Sequence, residues 1–386
     1  MTMTPIDFSD RALRLARSVA EHGLDAYVGT RQAGLHWTNG AFMPWRGAVM
    51  VTRWGDIRTI YWKMDAERVR LEGAGGAIFV FEGAEFIPRI AGFLRECGVG
   101  GGKIGLDLTH PGAAQVAPGM LTAQEYLELQ AALPEASFSN GVDVIDELML
   151  YKDDPELERI RQATEVAEYG FKAGLNKVVV GATENEVAGE IEHELRRHGS
   201  TWAWAVTGGT EVGAGERTAF LGGVTQQATD RPIAADEFVI LDIHPLVDLY
   251  MADLALPVFL GTPNNVQQRM IDSWHAAIET LFEEFRPGAR VADCAIKAHS
   301  RFETAGFAGF GLPLFGHGLG TCARMRPFIN PSSTDFVHEG MAVALGCHLY
   351  VPGQGGLRLE YPAHVTASGL QAFGTLPPRV VMKSDG

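Results

Sequence analysis

Residues 237–261 form a largely apolar segment. Aliphatic and aromatic side chains fill both halves of it, and the breaker Pro245 lies near its centre. Short continuous apolar runs bounded by turn residues are typical of strands buried in a sheet. The pattern therefore predicts a hairpin, with strands at 238–243 and 249–260 and a turn at 245–248.

Each predicted strand carries one carboxylate, Asp242 in the first and Asp253 in the second. A symmetric hairpin centred between Val247 and Asp248 would place the two directly opposite each other, with Cβ atoms roughly 5 Å apart. Carboxylates that close in an apolar sheet need a shared proton or a cation, and oxygen ligands suit divalent ions. The hairpin alone leaves a second interpretation open, in which the register slips and one carboxylate lies at the solvated end.

The first 147 residues alternate predicted strands and helices. An amphipathic pattern predicts a helix at 7–22, and Gly23 follows it as a cap. A turn at 54–56 joins two predicted strands, residues 36–40 resemble a strand end running into a turn, and 138–144 is the last predicted strand. This alternation is typical of an α/β domain.

Residues 148–386 predict a second domain, of α+β type. Asp154 is the predicted N-cap of a helix that runs to about residue 175. A strand rich in tryptophan is predicted at 200–207, and a glycine-rich loop at 208–223. The apolar hairpin and further strands follow, interrupted by two helices.

Composition narrows the function classes. A chain of 386 residues exceeds one ordinary core, which agrees with two domains. The net charge of −15 argues against a nucleic acid or an anionic membrane as partner, and no apolar run is long enough to span a bilayer. The four cysteines include no CxxC pair and the N-terminus has no signal-peptide pattern, which favours a cytoplasmic protein with reduced thiols.

Several motifs occur together in a recognisable order. They are Tyr151-Lys152-Asp153-Asp154-Pro155-Glu156, Phe285-Arg286-Pro287-Gly288, Gly316-His317-Gly318-Leu319-Gly320 and Gly355-Gly356-Leu357-Arg358-Leu359-Glu360. With the pair of aspartates, they resemble the pita-bread superfamily of creatinase, prolidase, aminopeptidase P and methionine aminopeptidase. The resemblance covers nearly the whole chain, as a divergent member. It implies a creatinase-like α/β N-terminal domain, an α+β pita-bread C-terminal domain and a homodimer.

The resemblance also implies a metal centre. The family pattern supplies five ligands to a metal pair, and four of them match Asp242, Asp253, His317 and Glu360. Ligands of these types imply one divalent ion, Fe, Mn or Zn. Without the resemblance, His317 in its glycine loop would be solvated more often than ligating, and Glu360 would pair with Arg358, which shares its strand face.

The fifth ligand is missing, because Gly346 stands where the family has a glutamate. His348 lies two residues further on, hence on the same strand face, and is the first candidate for a replacement ligand or a catalytic base. His244 has the same relation to Asp242 and is the second candidate, while His317 is expected to act in catalysis as a ligand. A packed or solvated position remains the alternative for His348 and His244.

Arg324 replaces a second family histidine, downstream of the Gly-His-Gly motif. Because arginine binds carboxylates and phosphates, it predicts a substrate with an acidic end, unless it is a surface charge. Arg358 and Tyr250 are further candidates for substrate contacts. The family's upstream histidine is absent from 206–223, and the glutamate with which creatinase grips guanidinium is Ala255 here. These departures disfavour creatine hydrolysis and ordinary peptide cleavage.

Together these features predict a metal-dependent hydrolase of a C–N bond in a small, acidic molecule. Elimination on the same site is an alternative, since the superfamily includes a relative that lyses dimethylsulfoniopropionate. Two further interpretations are a metal-free, creatinase-like enzyme and a non-catalytic binding protein. The retention of three carboxylates and one imidazole favours the metal-dependent enzyme, because clustered carboxylates are costly without a cation.

Overall fold

The computed structural model describes residues 3–75, 77–109, 119–201, 210–219, 227–322 and 324–384. The chain divides into two compact units. Pro5–Met149 form the N-terminal unit, and the described residues from Leu150 onward, together with Met3 and Thr4, form the C-terminal unit. All four cysteines are free thiols.

The N-terminal unit is an α/β structure around a six-stranded sheet. The strand order is β4-β3-β2-β1-β5-β6, in which β1 runs antiparallel to β2 and parallel to β5. Helix α1 buries Leu15 and Val19, and the side chain of Asp7 caps it by accepting hydrogen bonds from two backbone N–H groups. The elements are α1 (Phe8–Glu21), β1 (Ala26–Gly29), α2 (Gln32–Asn39), β2 (Gly47–Thr52), β3 (Ile57–Trp62), α3 (Ala66–Glu72), β4 (Phe79–Phe81), α4 (Phe86–Glu96), β5 (Lys103–Leu106), α5 (Ala123–Ala132), β6 (Ser137–Asn140) and α6 (Asp143–Met149).

Two local predictions for this unit were wrong. Residues 36–40 are the end of helix α2, which Gly40 terminates with a φ of 80°. Residues 138–144 divide between β6 and the start of α6. In α2 the burial of Leu35 and Trp37, at 2% and 1% exposure, outweighs a local sequence of modest helix propensity.

The C-terminal unit is built on a nine-stranded sheet. Seven strands follow the order β13-β12-β14-β15-β11-β8-β7, while β16 pairs with β15 and β17 with β11. Trp274 of α9 is fully buried and donates a hydrogen bond from Nε1 to the carbonyl of Cys347 at 2.9 Å, which ties that helix to the sheet. The elements are α7 (Asp154–Lys177), α8 (Glu184–Arg197), β7 (Thr210–Ala214), β8 (Glu237–Ile243), β9 (Leu246–Val247), β10 (Tyr250–Met251), β11 (Leu254–Leu260), α9 (Asn265–Glu284), α10 (Val291–Thr304), β12 (Gly316–Gly318), β13 (Met325–Phe328), β14 (Ala342–Val351), β15 (Gly355–Thr366), β16 (Gly369–Ala372) and β17 (Val381–Lys383).

Two predictions for this unit need correction. The N-cap of α7 is Asp153, whose side chain accepts from the backbone N–H of Glu156, so that the cap lies one residue before the predicted Asp154. The predicted loop at 208–223 contains strand β7, because its residues 210–214 pair with β8. Gly215–Ala219 form a short 3-10 helix, while residues 208–209 and 220–223 of that loop, and most of the predicted strand at 200–207, lie outside the described residues.

The central hairpin forms, but its register differs from the symmetric prediction. Asp248 and Leu249 both have positive φ, 45° and 70°, and form the two-residue turn between β9 and β10. The turn is therefore centred one residue later than predicted. As a result, Asp242 lies opposite Ala255 in the ladder between β8 and β11, and Asp253 is its diagonal neighbour.

Candidate metal centre

A row of laterally paired residues crosses five strands of the C-terminal sheet. Glu211 of β7 pairs with Asp242, which pairs with Ala255. Ala255 in turn pairs with Glu360, and Glu360 with Gly346 of β14. Because paired residues project to the same face of a sheet, three carboxylates point to one side, with Ala255 between Asp242 and Glu360 and Gly346 at the end of the row. Those small residues leave the space in which longer side chains converge.

His244 bridges the two aspartates of the hairpin. Its Nε2 lies 3.3 Å from Oδ1 of Asp242 and 3.2 Å from Oδ1 of Asp253. All three side chains are buried. A charged or metal-linked imidazole is favourable in this position, since it reduces repulsion between the carboxylates.

His317 approaches Asp253 from the opposite side. Its Nδ1 lies 3.2 Å from the carbonyl oxygen of Gly318, which can only accept, so Nδ1 carries the hydrogen. Its Nε2 then faces Oδ2 of Asp253 at 3.3 Å. Donation of one ring N–H to a backbone carbonyl, with the other nitrogen turned towards carboxylates, is the usual arrangement of a metal-ligating histidine.

His348 fills the space where the family has a glutamate. A Cβ added to Gly346 would lie 2.8 Å from Cε1 of His348 and 3.1 Å from the backbone nitrogen of Gly316. Nδ1 of His348 lies 3.1 Å from the carbonyl oxygen of Leu314, and Nε2 lies 3.1 Å from Oε1 of Glu360. Because the carbonyl oxygen can only accept, Nδ1 carries a hydrogen, and the contact with Oε1 is a hydrogen bond when Nε2 is protonated as well. Oε2 of Glu360 has no hydrogen-bond partner among the described residues.

Arg358 and Tyr250, two expected substrate contacts, bind carboxylates of the protein. Nη2 of Arg358 lies 2.6 Å from Oδ2 of Asp242, and Nη1 lies 3.0 Å from Oε2 of Glu211. The guanidinium is 1% exposed. Tyr250 donates a hydrogen bond from its hydroxyl to Oε1 of Glu156 at 3.1 Å. Arg324, by contrast, is half-buried and forms no ion pair with any described residue.

The proximity of these groups moves their pKa values strongly. Burial raises the pKa of Asp242 to about 8, although Arg358 and His244 oppose the shift. Burial acts against the ionised form of Asp253 too, but His244 and His317 outweigh it and hold its pKa well below the usual range. Burial would lower the pKa of His244, yet the two aspartates raise it well above its ordinary value. Asp242 and His244 therefore bind protons more strongly than usual, and a cation bound at this position would displace those protons.

Two groups of buried ligand atoms fit a metal ion, and Asp253 belongs to both. One consists of Asp242, His244 and Asp253, and the other of Asp253, His317 and Glu360; within each group the atoms lie within 4.8 Å of one another. Oε2 of Glu360 is buried and has no hydrogen-bond partner among the described residues. A buried carboxylate oxygen without a partner is costly, and a cation in the second group satisfies it. The mixed imidazole and carboxylate donors suit Zn, Fe, Mn or Co.

The sequence did not identify Glu211. Its carboxylate accepts a hydrogen bond from Arg358, and the same guanidinium forms an ion pair with Oδ2 of Asp242. An isolated glutamate in a stretch that resembled a loop carries no local signal. Only the pairing of β7 with β8 brings it beside the aspartate.

The chain belongs to a known family. Residues 158–367 match the family described as metallopeptidase family M24, and residues 11–148 match the creatinase/prolidase N-terminal domain. This confirms the predicted superfamily and both fold classes. The chain is therefore a hydrolase of a family described as metallopeptidases, and that description implies the use of a divalent metal in C–N bond hydrolysis.

Relatives by sequence include peptidases. A putative dipeptidase, YkvY of Bacillus subtilis, is 28% identical over 255 residues, which cover 66% of this chain and 69% of that protein. An Xaa-Pro dipeptidase of Lactobacillus helveticus is 27% identical over 254 residues, which cover 66% of this chain and 68% of the dipeptidase. These relatives support peptidase-type hydrolysis, which the sequence argument disfavoured, and lend no support to elimination.

Solved structures share the fold over nearly the whole chain. An Xaa-Pro dipeptidase from Bacillus anthracis has a TM-score of 0.82 at 22% identity and covers 97% of this chain and 100% of its own. A prolidase from Thermococcus sibiricus has a TM-score of 0.84 at 17% identity, and the match covers 98% of this chain and 100% of the prolidase. The N-terminal domain of the FACT complex subunit SPT16 from chickpea has a TM-score of 0.75, so the fold by itself does not define the activity. Among the described residues, no helix has the length and apolar character needed to cross a membrane.

Proposed function

We propose that this protein hydrolyses an amide bond in a short, dipeptide-sized molecule with a free carboxylate. The observation that carries the proposal is the convergence of Asp253, His317 and Glu360 in a buried site, where Oε2 of Glu360 has no hydrogen-bond partner among the described residues. Two relatives are named Xaa-Pro dipeptidases, which supports a substrate of that size.

The three converging residues would hold the ion. When bound, a divalent ion lowers the pKa of a coordinated water and polarises a carbonyl oxygen. Nε2 of His348 lies 3.1 Å from Oε1 of Glu360 and donates a hydrogen bond to it when that nitrogen is protonated; we propose that His348 releases and takes back that proton during the reaction. His244 positions the two aspartates by contacts of 3.2 and 3.3 Å.

Arg324 would bind the carboxylate of the substrate. It is half-buried and forms no ion pair within the part of the chain that the structure describes. An unpaired guanidinium at this depth gains most from a bidentate carboxylate. Its neighbour Arg326, in contrast, is already paired with Asp335 at 2.6 Å. We further propose that the protein acts as a homodimer, which light scattering tests directly.

The test is a matched substrate panel. Protein loaded separately with Mn²⁺, Zn²⁺, Fe²⁺ or Co²⁺ is offered short N-acyl amino acids and dipeptides, each as the free acid and as the C-terminal amide. We expect hydrolysis of free acids, with much lower kcat/KM for the amides. Equal rates for both forms would remove the acidic end from the proposal, and no hydrolysis with any of the four metals would overturn the proposal itself.

A further inference from the structure

The two ligand groups around Asp253 are not equivalent. In the group with His317 and Glu360, the facing atoms are lone-pair acceptors, and Oε2 of Glu360 has no partner among the described residues. In the other group, both oxygens of Asp242 and Oδ1 of Asp253 also lack a hydrogen-bond partner among the described residues, but Oδ2 of Asp242 lies 2.6 Å from the cationic Nη2 of Arg358 and Oδ1 lies 3.3 Å from Nε2 of His244. This asymmetry decides how many ions the site can take.

Arg358 occupies the outer oxygen of Asp242. Its Nη2 lies 2.6 Å from Oδ2, and Glu211 fixes the other end of the guanidinium at 3.0 Å. Arginine stays protonated at every accessible pH. A divalent ion on Asp242 would therefore lie within a few ångströms of a permanent positive charge in a buried site, where repulsion is poorly screened.

His244 occupies the inner oxygen of Asp242. Its Nε2 lies between Oδ1 of Asp242 and Oδ1 of Asp253, 3.3 and 3.2 Å away. The ring thus takes the place between the two aspartates where a first ion would be held. Its side chain is 2% exposed, so it has little room to move aside.

On the other side, the space of the missing glutamate is also filled. The ring of His348 lies where the Cβ of residue 346 would project, and it binds Oε1 of Glu360 rather than converging with Asp253 and His317. No second bridging carboxylate from the described residues faces the centre. Three protein ligands remain, which leaves positions open for water and substrate, as catalytic single-ion sites do.

We propose that the protein binds one divalent ion per chain, on Asp253, His317 and Glu360, and that Asp242 is a positioning residue rather than a ligand. Arg358 and His244 serve as internal cationic and donor groups in place of a second ion. This inference rests on the proposed metal-dependent function and specifies the number of ions and their ligands. It replaces the set of four ligands that the sequence predicted, by removing Asp242.

The metal content of four proteins tests this inference. Wild type, Asp242→Asn, His244→Ala and Glu360→Gln are saturated with Co²⁺, freed of excess ion by gel filtration and measured by elemental analysis and by visible d–d absorption. We expect about one ion per chain in the first three, and near zero in Glu360→Gln, which loses a ligand charge. The absorption spectrum of Asp242→Asn should match that of wild type.

The outcomes separate the two proposals. About two ions in wild type, falling to about one in Asp242→Asn, would overturn the single-ion inference and leave the metal-dependent function intact. A wild type with no Co²⁺ would overturn both. Circular dichroism checks folding, and His244→Ala probes the same group of ligands should Asp242→Asn not fold.

Discussion

The ring of His348 lies in the space that a side chain on Gly346 would need, with Cε1 2.8 Å from the position of the absent Cβ. The two residues are therefore a matched pair. Loss of the side chain at 346 makes room for the imidazole, and the imidazole then binds Glu360, the cross-strand partner of Gly346. This exchange separates the site from the five-ligand pattern of its superfamily.

Gly346→Glu should destabilise the protein by about 1–3 kcal/mol, because it overpacks a filled space. His348→Ala in the same chain should recover part of that loss, with a coupling energy of about 1 kcal/mol. The measurement is urea unfolding of both single variants and the double variant, in excess chelator so that bound metal does not contribute. Gly189→Glu is the control, since a Cβ there meets nothing within 4 Å. Additive effects of the two changes would show that the residues do not share the space.

Arg358→Met should cost about 3–5 kcal/mol of unfolding free energy. The change removes the cationic partner that two buried carboxylates, Asp242 and Glu211, share. Thermal and urea unfolding measure it. The exposed pair of Arg290 and Asp293, 58% and 53% exposed, supplies the control, and Arg290→Gln should change stability by less than about 0.5 kcal/mol. Similar small effects of both changes would contradict the ion-pair role of Arg358.

Arg324→Gln should raise KM for free-acid substrates at least about tenfold, since it removes a charge-assisted contact. Amide-capped substrates should be affected little. Arg326→Gln is the matched control, because Arg326 pairs with Asp335 at 2.6 Å, and it should leave the ratio of acid to amide turnover unchanged. An equal loss for acid and amide substrates in Arg324→Gln would exclude the carboxylate contact.

His36 should make the N-terminal unit acid-sensitive. Burial lowers the pKa of His36 from 6.5 to about 4, and its Nε2 accepts a hydrogen bond from the backbone N–H of Met43 at 3.2 Å. Between pH 6.5 and 4 the unfolded chain binds a proton that the folded chain does not, so stability falls as pH falls through this window. The full loss is about 3 kcal/mol, and it is absent well above pH 6.5.

The matched variant is His36→Gln, whose side-chain oxygen can accept the same hydrogen bond without titrating. Urea unfolding of both proteins at several pH values from about 4 to about 7.5 gives the comparison. Wild type should lose more stability than the variant as the pH decreases. Parallel pH profiles would show that His36 titrates normally.

Local sequence patterns predicted much of this molecule. The apolar runs indicated the hairpin of β8 and β11, and the amphipathic pattern with its capping residues indicated α1. The residue types Asp, His and Glu, in their family order, indicated metal chemistry and a hydrolase, which the family match bears out. These features are local, because periodicity, caps and ligand types can be read within a few residues.

Tertiary structure decided the register and the partners. The left-handed residues Asp248 and Leu249 moved the turn by one position, which placed Ala255 rather than Asp253 opposite Asp242. The side-chain period of a strand is two, so periodicity does not specify which residue lies across the ladder. Arg358 pairs with Asp242 and Glu211 rather than being left for a substrate. These contacts depend on strands that are far apart in sequence. The sequence by itself determined which types of ligand group are present. Only the folded sheet, through non-local strand pairing, determined which of these groups pair with each other and which remain available for an ion.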